Sequence, residues 1–204
     1  MKSEIKKGEI IRFGDYDWRV LVSEENKLLI ITEDIIAQKA YYNEYTEIDW
    51  ENCDLRKYLQ GEFMQKFNKE EQARIALIEN ENKPNEWYST RSGNITKDKI
   101  FLLSLEEIDK YFGNSGDYLA KKNRHDWDND KKEWIKDDND GWTVSNAHDK
   151  DREIRNNYSW WWLRSPGLRN DHAASVCGNG AIDVGGGDAN NVGGVRPALW
   201  LNLN

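Results

Sequence analysis

Hydrophobic and polar residues alternate over short runs in the first part of the chain. Residues 10–13, 18–22 and 28–32 are rich in β-branched and aromatic side chains, and short turn-forming stretches at 14–15 and 24–27 separate them. Spacers of this length allow hairpin turns but no crossover connection. The pattern therefore predicts an N-terminal meander of three antiparallel β-strands.

A helical pattern follows the meander. Apolar side chains at Trp50, Leu55 and Leu59 have the spacing of one helix face, so a helix is predicted over residues 50–59, ending near Gly61. We expect this helix to be amphipathic and to pack one face on the core.

Two further helices are marked by local capping sequences. Asn68 followed by Glu71 is typical of a helix N-terminus, and the helix is expected to be amphipathic and to run on through Ile75 and Ile78. Ser104 followed by Glu107 predicts a second capped helix that runs toward residues 112–113. The apolar run 99–103 directly before it predicts a buried strand.

The C-terminal region, residues 160–201, has the most informative pattern. The sequence W-W-W-L-R-S-P-G opens it at residues 160–167, and G-V-R-P-A-L-W-L closes it at 194–201. Residues 168–194 contain no Lys, Glu, Gln, Met or Trp and are rich in Gly, Ala, Asn and Asp. Large apolar groups at both ends of a small, polar segment are typical of a rigid scaffold that presents a surface.

A hairpin is predicted inside this segment. Alternation directs Val176 to one face of its strand and Ser175 and Cys177 to the other, and the Gly-Asn-Gly sequence at 178–180 predicts the turn. In the returning strand Ile182 and Val184 are expected to be buried and Asp183 to be more exposed. Residues 185–191 begin with three glycines and are predicted to form a surface loop, because glycine destabilises the interior of a strand.

The bracketing motifs also contain large and charged side chains with expected structural roles. Because successive residues of a strand point to opposite faces, two of the residues Trp160, Trp161 and Trp162 are expected in the core. Arg164 and Arg196 are expected to bind backbone carbonyls or carboxylates.

Residues 121–155 differ from the rest of the chain. Charged and turn-forming residues dominate, with Trp127, Trp134 and Trp142 as the large apolar groups. We interpret this segment as a charged excursion from a single domain, 1–204, held down by those tryptophans. A linker rich in Pro or Ser is absent from the sequence.

Composition narrows the classes of function. The net charge of -8 disfavours nucleic acid as a partner, because such proteins concentrate Lys and Arg. The longest aliphatic run, residues 28–31, is far shorter than the roughly 20 residues of a membrane span. Without an apolar leader we expect a cytoplasmic protein, alone or carried on a larger particle or surface. Cys53 and Cys177 match no metal spacing, and free thiols are expected.

The two brackets resemble a bacterial family of domains of unknown function related to the C-type-lectin-like fold. The motifs W-W-L-R-S-P-G and G-V-R-P-A-L-W-L carry the resemblance, which extends upstream through residues 13–21, 55–59 and 99–104. It implies an α+β fold, with twisted antiparallel sheets, flanking helices and long loops. The charged segment 121–155 departs from the family pattern.

The same fold is used by the variable proteins of diversity-generating retroelements, in which adenines near the 3′ end of a gene are rewritten. Applied to Asn codons, that process cannot produce Lys, Glu, Gln, Met or Trp, the residue types missing from 168–194. A turn-rich segment would also be poor in Lys, Glu and Trp for conformational reasons. The coincidence favours a variable, ligand-binding surface and leaves the compositional explanation open.

The sequence thus predicts a ligand-binding domain without catalytic chemistry, which recognises a protein or a glycan. No cofactor and no metal site is predicted. The expected contact residues are the polar side chains of the segment, namely Asn170, Asp171, His172, Ser175, Cys177, Asn179, Asp183, Asp188, Asn190 and Asn191.

Two alternatives stay open. The resemblance extends to formylglycine-generating enzymes, which oxidise a substrate cysteine with a close pair of active-site cysteines, and here the fold would have to bring Cys53 and Cys177 together. A structural accessory domain is the other alternative. The histidines 125, 148 and 172 lack metal-ligand spacing and are expected in solvated loops. Residues 136–147 are an incomplete calcium-loop pattern, and for Asp126, Asp128 and Asp130 a solvated acidic loop is expected, with weak binding of a divalent ion as the alternative.

Overall fold

A computed structural model describes residues 5–112, 127–128, 133–134, 160–177 and 182–203. Within these ranges the fold is α+β and mostly antiparallel, with two five-stranded sheets and three short α-helices. The charged segment 121–155 lies almost entirely outside the described residues. Of this segment the structure describes only the backbone of a short hairpin at 127–128 and 133–134, so the expectations for the tryptophan side chains, for His125 and His148 and for the acidic stretches 126–130 and 136–147 lie outside what it describes.

The first sheet contains the N-terminal meander and the C-terminal strand. Its strand order is β1-β2-β3-β14-β7, and all its pairs are antiparallel. The three-strand meander predicted from the alternation is confirmed. The strands are β1 (Ile10–Phe13), β2 (Tyr16–Ser23), β3 (Lys27–Thr32), β7 (Ile100–Phe101) and β14 (Ala198–Asn202).

The second sheet is built mainly from the C-terminal region. Its order is β12-β11-β10-β13-β4, with antiparallel pairs except for the parallel contact of β10 with β13. Its strands are β4 (Ala37–Ala40), β10 (Trp161–Pro166), β11 (His172–Val176), β12 (Ile182–Asp188) and β13 (Val192–Val195).

Two small two-stranded hairpins lie outside the two large sheets. The first pairs β5 (Ile78–Asn80) with β6 (Thr96–Asp98), and the second pairs β8 (Trp127–Asp128) with β9 (Glu133–Trp134). No helix in the described ranges is both long enough and apolar enough to cross a bilayer.

The helices differ from the sequence predictions at their boundaries. The first, α1 (Asp54–Tyr58), starts four residues later than expected, because the Cys53 thiol caps it by accepting from the Arg56 amide. It does not end near Gly61 but continues as a π-helical segment (Leu59–Phe63) and a 3₁₀ turn (Met64–Lys66).

Both predicted capping boxes are confirmed. Asn68 and Glu71 exchange side-chain to backbone hydrogen bonds at the start of α2 (Lys69–Arg74), and Ser104 and Glu107 do so at the start of α3 (Leu105–Phe112).

Two of the predicted elements around these helices are shorter than expected. α2 ends at Arg74 and buries none of its side chains, because Ile75 instead forms a bridge to Leu201 and Ile78 begins β5. The predicted strand 99–103 has strand geometry only at Ile100 and Phe101, since only these residues pair with β14. The apolar groups were correctly predicted as core, but long-range strand pairing determines their local structure.

The hairpin register is confirmed, while part of its exposure pattern is wrong. Val176 pairs with Ile182 and Ser175 with Asp183, so the predicted faces are the observed ones. Ser175 is nevertheless buried, because β11 lies inside the sheet and is covered on both faces. The turn at 178–180, including Asn179, lies outside the described residues.

The three-glycine sequence is not a loop. Residues 185–187 belong to β12, and Gly186 has a φ of +62° at the point where the pairing register of β11 and β12 shifts. A Cβ atom on Gly186 would overlap the Ala173 carbonyl. Glycine is therefore required here by close backbone approach and by a positive φ.

The bracketing motifs hold the two sheets together. Trp161 and Trp162 are fully buried while Trp160 is half-buried, as predicted. Arg164 is buried and donates to the Leu102 carbonyl at 2.8 Å and to the Glu107 carboxylate. The structural role predicted for this arginine follows from these contacts.

The second motif arginine has an equivalent position. Arg196 donates to the carbonyls of Thr32 and Glu33, and its guanidinium lies 4.9 Å from the Trp161 ring centroid. This cation–π contact links the two motifs through their central side chains.

Candidate functional site

One end of the molecule brings together turns from four parts of the chain. The turn 168–171 between β10 and β11 packs beside the turn 188–191, where the Ala189 amide donates to the Asp171 carbonyl at 2.9 Å. The amide of Tyr42 donates in turn to the Ala189 carbonyl at 2.9 Å. Residues 47–49 and 91–93 complete this end, and a cleft of about 220 Å³ opens among them.

The floor of the cleft consists of buried side chains. Tyr41, Trp50 and Arg164 line it, and the Tyr41 hydroxyl donates to the Arg164 carbonyl at 3.0 Å. Burial, together with the neighbouring Cys53, raises the pKa of Tyr41 well above its ordinary value, so this hydroxyl keeps its proton. The floor is rigid because each of these groups is packed in the core.

Trp50 is fixed from below by a buried carboxylate. Its indole nitrogen donates to Asp98 at 3.0 Å, and Asp98 also accepts from Asn80, Thr96 and Arg56. Burial alone raises the pKa of Asp98, but these four donors outweigh it and the pKa lies below its ordinary value. Asp98 is therefore an ionised anchor under the cleft.

The wall contains Asn82, whose orientation is determined by its neighbours. Its side-chain nitrogen donates to the Asn94 carbonyl at 2.6 Å and to the Thr96 hydroxyl at 3.2 Å. Thr96 gives its own hydrogen to Asp98, so it can only accept from Asn82. The amide oxygen of Asn82 is left buried and without a hydrogen-bond partner among the described residues.

A second buried polar atom of the cleft residues is also unsatisfied. Arg164 uses Nη1 for both Leu102 and Glu107 and Nη2 for the Glu81 carbonyl, but its Nε has no hydrogen-bond partner within the described ranges. Such atoms are rare in folded proteins, because each unsatisfied buried group costs about 1–3 kcal/mol. Asn82 Oδ1 is an acceptor and Arg164 Nε is a donor.

The rim of the cleft is exposed and charged. Glu47 and Arg91 form an ion pair at 3.3 Å, with 63% and 79% of their side chains exposed. Ser92 is exposed beside them, while Asp49 is half-buried and accepts from the backbone and side chain of Asn52. An exposed ion pair of this kind contributes little to stability, so its side chains are available to a ligand.

Asn85 ties the segment carrying the wall and rim to the C-terminal sheet. Its side-chain nitrogen donates to the carbonyls of Pro166 at 3.0 Å and Val184 at 2.8 Å, and its oxygen accepts from the Trp87 amide. The wall of the cleft therefore keeps its position relative to the predicted contact segment.

The predicted contact residues fall into two groups, those that line the cleft and those that do not. Asn170 lies on the cleft rim, where its side chain accepts from the Arg91 amide at 3.1 Å and its carbonyl from the Ile48 amide at 2.9 Å. His172 was predicted in a solvated loop, but it is buried at the start of β11, because its ring is enclosed at the cleft with one nitrogen 2.7 Å from Asp171 and the other 3.2 Å from Asp188. The side chains of Asn170 and His172 therefore link the turns around the cleft through these contacts.

Arg169 closes the same network. It lies 3.0 Å from Asp171 and 3.7 Å from Asp188, and it donates to the Tyr45 hydroxyl. Burial raises the pKa of Asp171, but hydrogen bonds from His172 and Arg169 outweigh it and hold that pKa below its ordinary value.

The other predicted residues that the structure describes lie away from the cleft lining. Asn190 and Asn191 are exposed, and Asp183 and Cys177 are half-buried. Sequence reasoning missed Glu47, Asp49, Asn82, Arg91 and Ser92. They come from three separate polar segments, and no local pattern marks side chains that only the fold brings together.

The thiols do not have the properties of reactive cysteines. Burial raises the pKa of Cys53 to about 12, and burial together with the charge of Asp183 raises the pKa of Cys177. The thiolate is the reactive form, so both shifts reduce reactivity. Both cysteines are free thiols, as expected. In the part of the chain that the structure describes, no cluster of three or more His, Cys, Asp or Glu side chains is arranged to hold a metal ion.

Comparison with known proteins identifies a family. Residues 25–203 match the family described as Domain of unknown function (DUF6273). No curated protein and no solved structure matches the chain.

Proposed function

The chain belongs to the DUF6273 family, and from that premise we propose that it is a ligand-binding domain whose site is the cleft at the turn end of the C-terminal sheet. The observation that carries the proposal is a fixed floor and wall beneath an exposed polar rim. Binding sites typically combine a preformed cavity with a few oriented polar groups. The ligand is a segment of another macromolecule, a protein or a glycan.

The proposal assigns no chemical step to the site. A cysteine oxidase of the formylglycine-generating type needs reactive thiolates, and the raised pKa values of Cys53 and Cys177 argue against that alternative. A purely structural domain would have no use for an open cleft with a fixed floor of buried side chains and an exposed, charged rim.

We further propose that the fold is C-type-lectin-like. Two features support this assignment: the C-terminal strand β14 pairs with the N-terminal meander, and the second sheet consists largely of the C-terminal motif region. The proposed site lies at the end of that second sheet.

The retroelement hypothesis takes a narrower form. Most of the segment 168–194 is buried or engaged in hydrogen bonds, so a variable surface would be restricted to its exposed positions. Among the described residues of this segment, the exposed ones lie in or next to the two turns beside the cleft and are Leu168, Arg169, Asn190, Asn191 and Val192. DNA flanking the gene tests the idea: a near-copy of the 3′ end, mismatched at adenines and next to a reverse transcriptase gene, is expected, and a flank without one would refute it.

A paired array experiment tests the binding function. The wild-type protein and two variants are applied to a glycan array and to a peptide array. Ser92→Trp fills the exposed mouth of the cleft. Ser23→Trp is the control, because it adds the same side chain at the exposed end of β2, which does not line the cleft. We expect one array to retain the wild type and Ser23→Trp but not Ser92→Trp. Equal retention of all three proteins, or of none, would contradict the proposal.

A further inference from the structure

The cleft contains one carboxylate that no cation of the described residues neutralises. Asp49 lines the cleft and is half-buried, and its Oδ1 accepts from the backbone and the side chain of Asn52 at 2.9 Å and 2.8 Å. Its Oδ2 has neither a hydrogen-bond partner nor an ion pair within the described ranges. Asn82 Oδ1 and Arg164 Nε are enclosed, whereas Asp49 Oδ2 retains accessible surface. A ligand in the cleft therefore meets a free carboxylate oxygen.

The arginines of the cleft already have anionic partners. Arg164 is bound to Glu107, and Arg91 pairs with Glu47 at 3.3 Å at the exposed rim. An anionic ligand would have to separate one of these pairs and would also face the carboxylate of Asp49. A cationic group provides Asp49 with a partner and leaves both pairs intact. The charges of the cleft therefore favour a cation.

The carboxylate of Asp49 lies close to the floor of the cleft. Burial is the largest cause of the raised pKa of Tyr41, and the charges of Cys53 and Asp49 raise that pKa further. The effect on a buried hydroxyl of the floor shows that the charge of Asp49 is directed into the cleft. A cation bound to Asp49 would therefore lie inside the cleft.

The size and walls of the cleft suit one long side chain. Its volume of about 220 Å³ is below the roughly 300–1,000 Å³ typical of pockets for drug-sized molecules. Ile48 and Pro166 are half-buried and provide apolar wall, and Trp50 lies on the floor. Lysine and arginine side chains pack their apolar stems on such surfaces while the charged tip reaches a polar partner.

The single free oxygen favours lysine over arginine. The planar fork of arginine binds best to both oxygens of one carboxylate, but Asp49 Oδ1 is occupied by Asn52. The ammonium group of lysine is compact and can donate to one oxygen through any of its three N–H groups. The net charge of -8 also attracts a cationic partner to the protein.

From these observations we propose that the cleft binds a lysine side chain of a peptide segment, with the ammonium group donating to Asp49 Oδ2 and the methylene stem packed against Ile48 and Pro166. This rests on the proposed function and names the ligand class of that site. The peptide on either side of the lysine extends over the turns beside the cleft, where Tyr45 and Leu168 have exposed apolar surface.

Nuclear magnetic resonance of the full ¹⁵N-labelled chain tests the lysine directly. The probe is Nα-acetyl-lysine amide, and its matched control is Nα-acetyl-norleucine amide, which has the same four-carbon stem without the ammonium group. We expect the lysine probe to shift the Trp50 indole N–H and the Asn52 side-chain amide with saturation, because Trp50 lies on the floor and Asn52 is bound to Asp49. Equal shifts with both probes would overturn the role of the carboxylate.

Matched variants separate binding at Asp49 from the effect of net charge. Asp49→Asn keeps an acceptor for Asn52 but removes the charge, and it is expected to weaken binding of the lysine probe by at least about tenfold, or roughly 1.4 kcal/mol. Asp17→Asn removes the same charge from β2, which does not line the cleft, and is expected to leave the affinity unchanged. Equal affinities of the two variants would contradict the proposal. If Asp49→Asn does not fold, the comparison of the two probes on the wild type decides.

The possible results distinguish this inference from the proposed function. If the glycan array alone retains the protein in a Ser92-dependent manner, the cleft is a binding site but the lysine proposal is wrong. The same conclusion holds if the peptide array retains the protein equally well through peptides without lysine. If neither array retains it and neither probe shifts the two signals, both proposals are wrong.

Discussion

Thr96 Oγ1 lies 2.7 Å from Asp98 Oδ2 and gives its hydrogen to that buried carboxylate. The Thr96 oxygen can then only accept a hydrogen bond, so the side-chain nitrogen of Asn82 faces it and also donates to the Asn94 carbonyl. The amide oxygen of Asn82 therefore points away from both of these acceptors. An ionised carboxylate in the core thus determines the orientation of the Asn82 side chain in the wall of the cleft. The chain of hydrogen bonds connects the stability of the fold to the orientation of the site.

Replacing Thr96 by valine tests this connection. Valine has nearly the same shape but no hydroxyl, so Asp98 loses a donor and Asn82 an acceptor in a buried environment. We expect the free energy of unfolding to fall by about 1–3 kcal/mol and ligand affinity to fall with it. Urea unfolding and a binding titration measure the two effects.

The exposed Thr46 provides the control for this substitution. Thr46→Val changes the same atoms on the surface and is expected to alter the free energy of unfolding by less than about 0.5 kcal/mol. A Thr96→Val variant as stable as Thr46→Val would show that the buried hydroxyl does not contribute as proposed.

Acid should destabilise the fold through Asp98. Its pKa is lower in the folded than in the unfolded state, so its contribution is fully present above the unfolded value of about 3.9 and is lost as the pH falls through the folded pKa. Asp171 acts in the same direction. Unfolding free energies measured from pH 7 down to pH 2 should decrease below about pH 4. Constant stability across that range would contradict the assignment of ionised, hydrogen-bonded carboxylates.

Local signals predicted those parts of the fold that depend on neighbouring residues. The capping boxes at Asn68 and Ser104 are complete within four residues, and the meander is defined by strand composition and short turns. Ile75 and Ile78 were wrongly assigned to a helix. Their spacing fits one face of a helix, but in the structure both residues follow α2 and pair with strand residues, Ile75 with Leu201 and Ile78 with Asp98.

The site was predicted less well than the fold. Asn170 and His172 were identified from the composition of their segment, but their side chains mostly bind other parts of the protein. The orientation of Asn82 depends on Asp98, which receives donors from four segments. Contacts between residues so far apart leave no periodic pattern in the sequence.

Neither the fold nor ligand binding should require a metal ion. The sequence contains no complete ligand set, and the described residues contain no cluster suited to one. We expect the same melting temperature with and without excess chelator. A decrease of many degrees, reversed by one added divalent cation, would show that this prediction is wrong.

Two neighbouring glycines in β12 should respond differently to substitution. A Cβ atom on Gly186 would overlap the Ala173 carbonyl and would have to tolerate a φ of +62°, so Gly186→Ala should be strongly destabilising. Gly187→Ala meets side-chain atoms at 3.5 Å or more and is expected to be tolerated. Melting temperatures of the two variants provide the comparison, and equal values would contradict the close approach of β11 and β12.

The last prediction contrasts the scaffold with the exposed turns. Trp162 is fully buried, donates to the Lys39 carbonyl at 3.0 Å and packs 5.9 Å from the Tyr41 ring that lines the cleft floor. Trp162→Ala should therefore cost about 3–5 kcal/mol, a large part of a typical domain's stability. Asn190→Ala and Asn191→Ala change exposed side chains in the turn beside the cleft and should each stay within about 0.5 kcal/mol.

Urea unfolding of these three variants measures the contrast, and it bears on function because a surface that varies must contribute little to folding. If the turn variants are destabilised as much as Trp162→Ala, the turn is part of the scaffold. The variable-surface hypothesis would then have to be abandoned, while the cleft itself would be unaffected, because its floor and wall come from other residues.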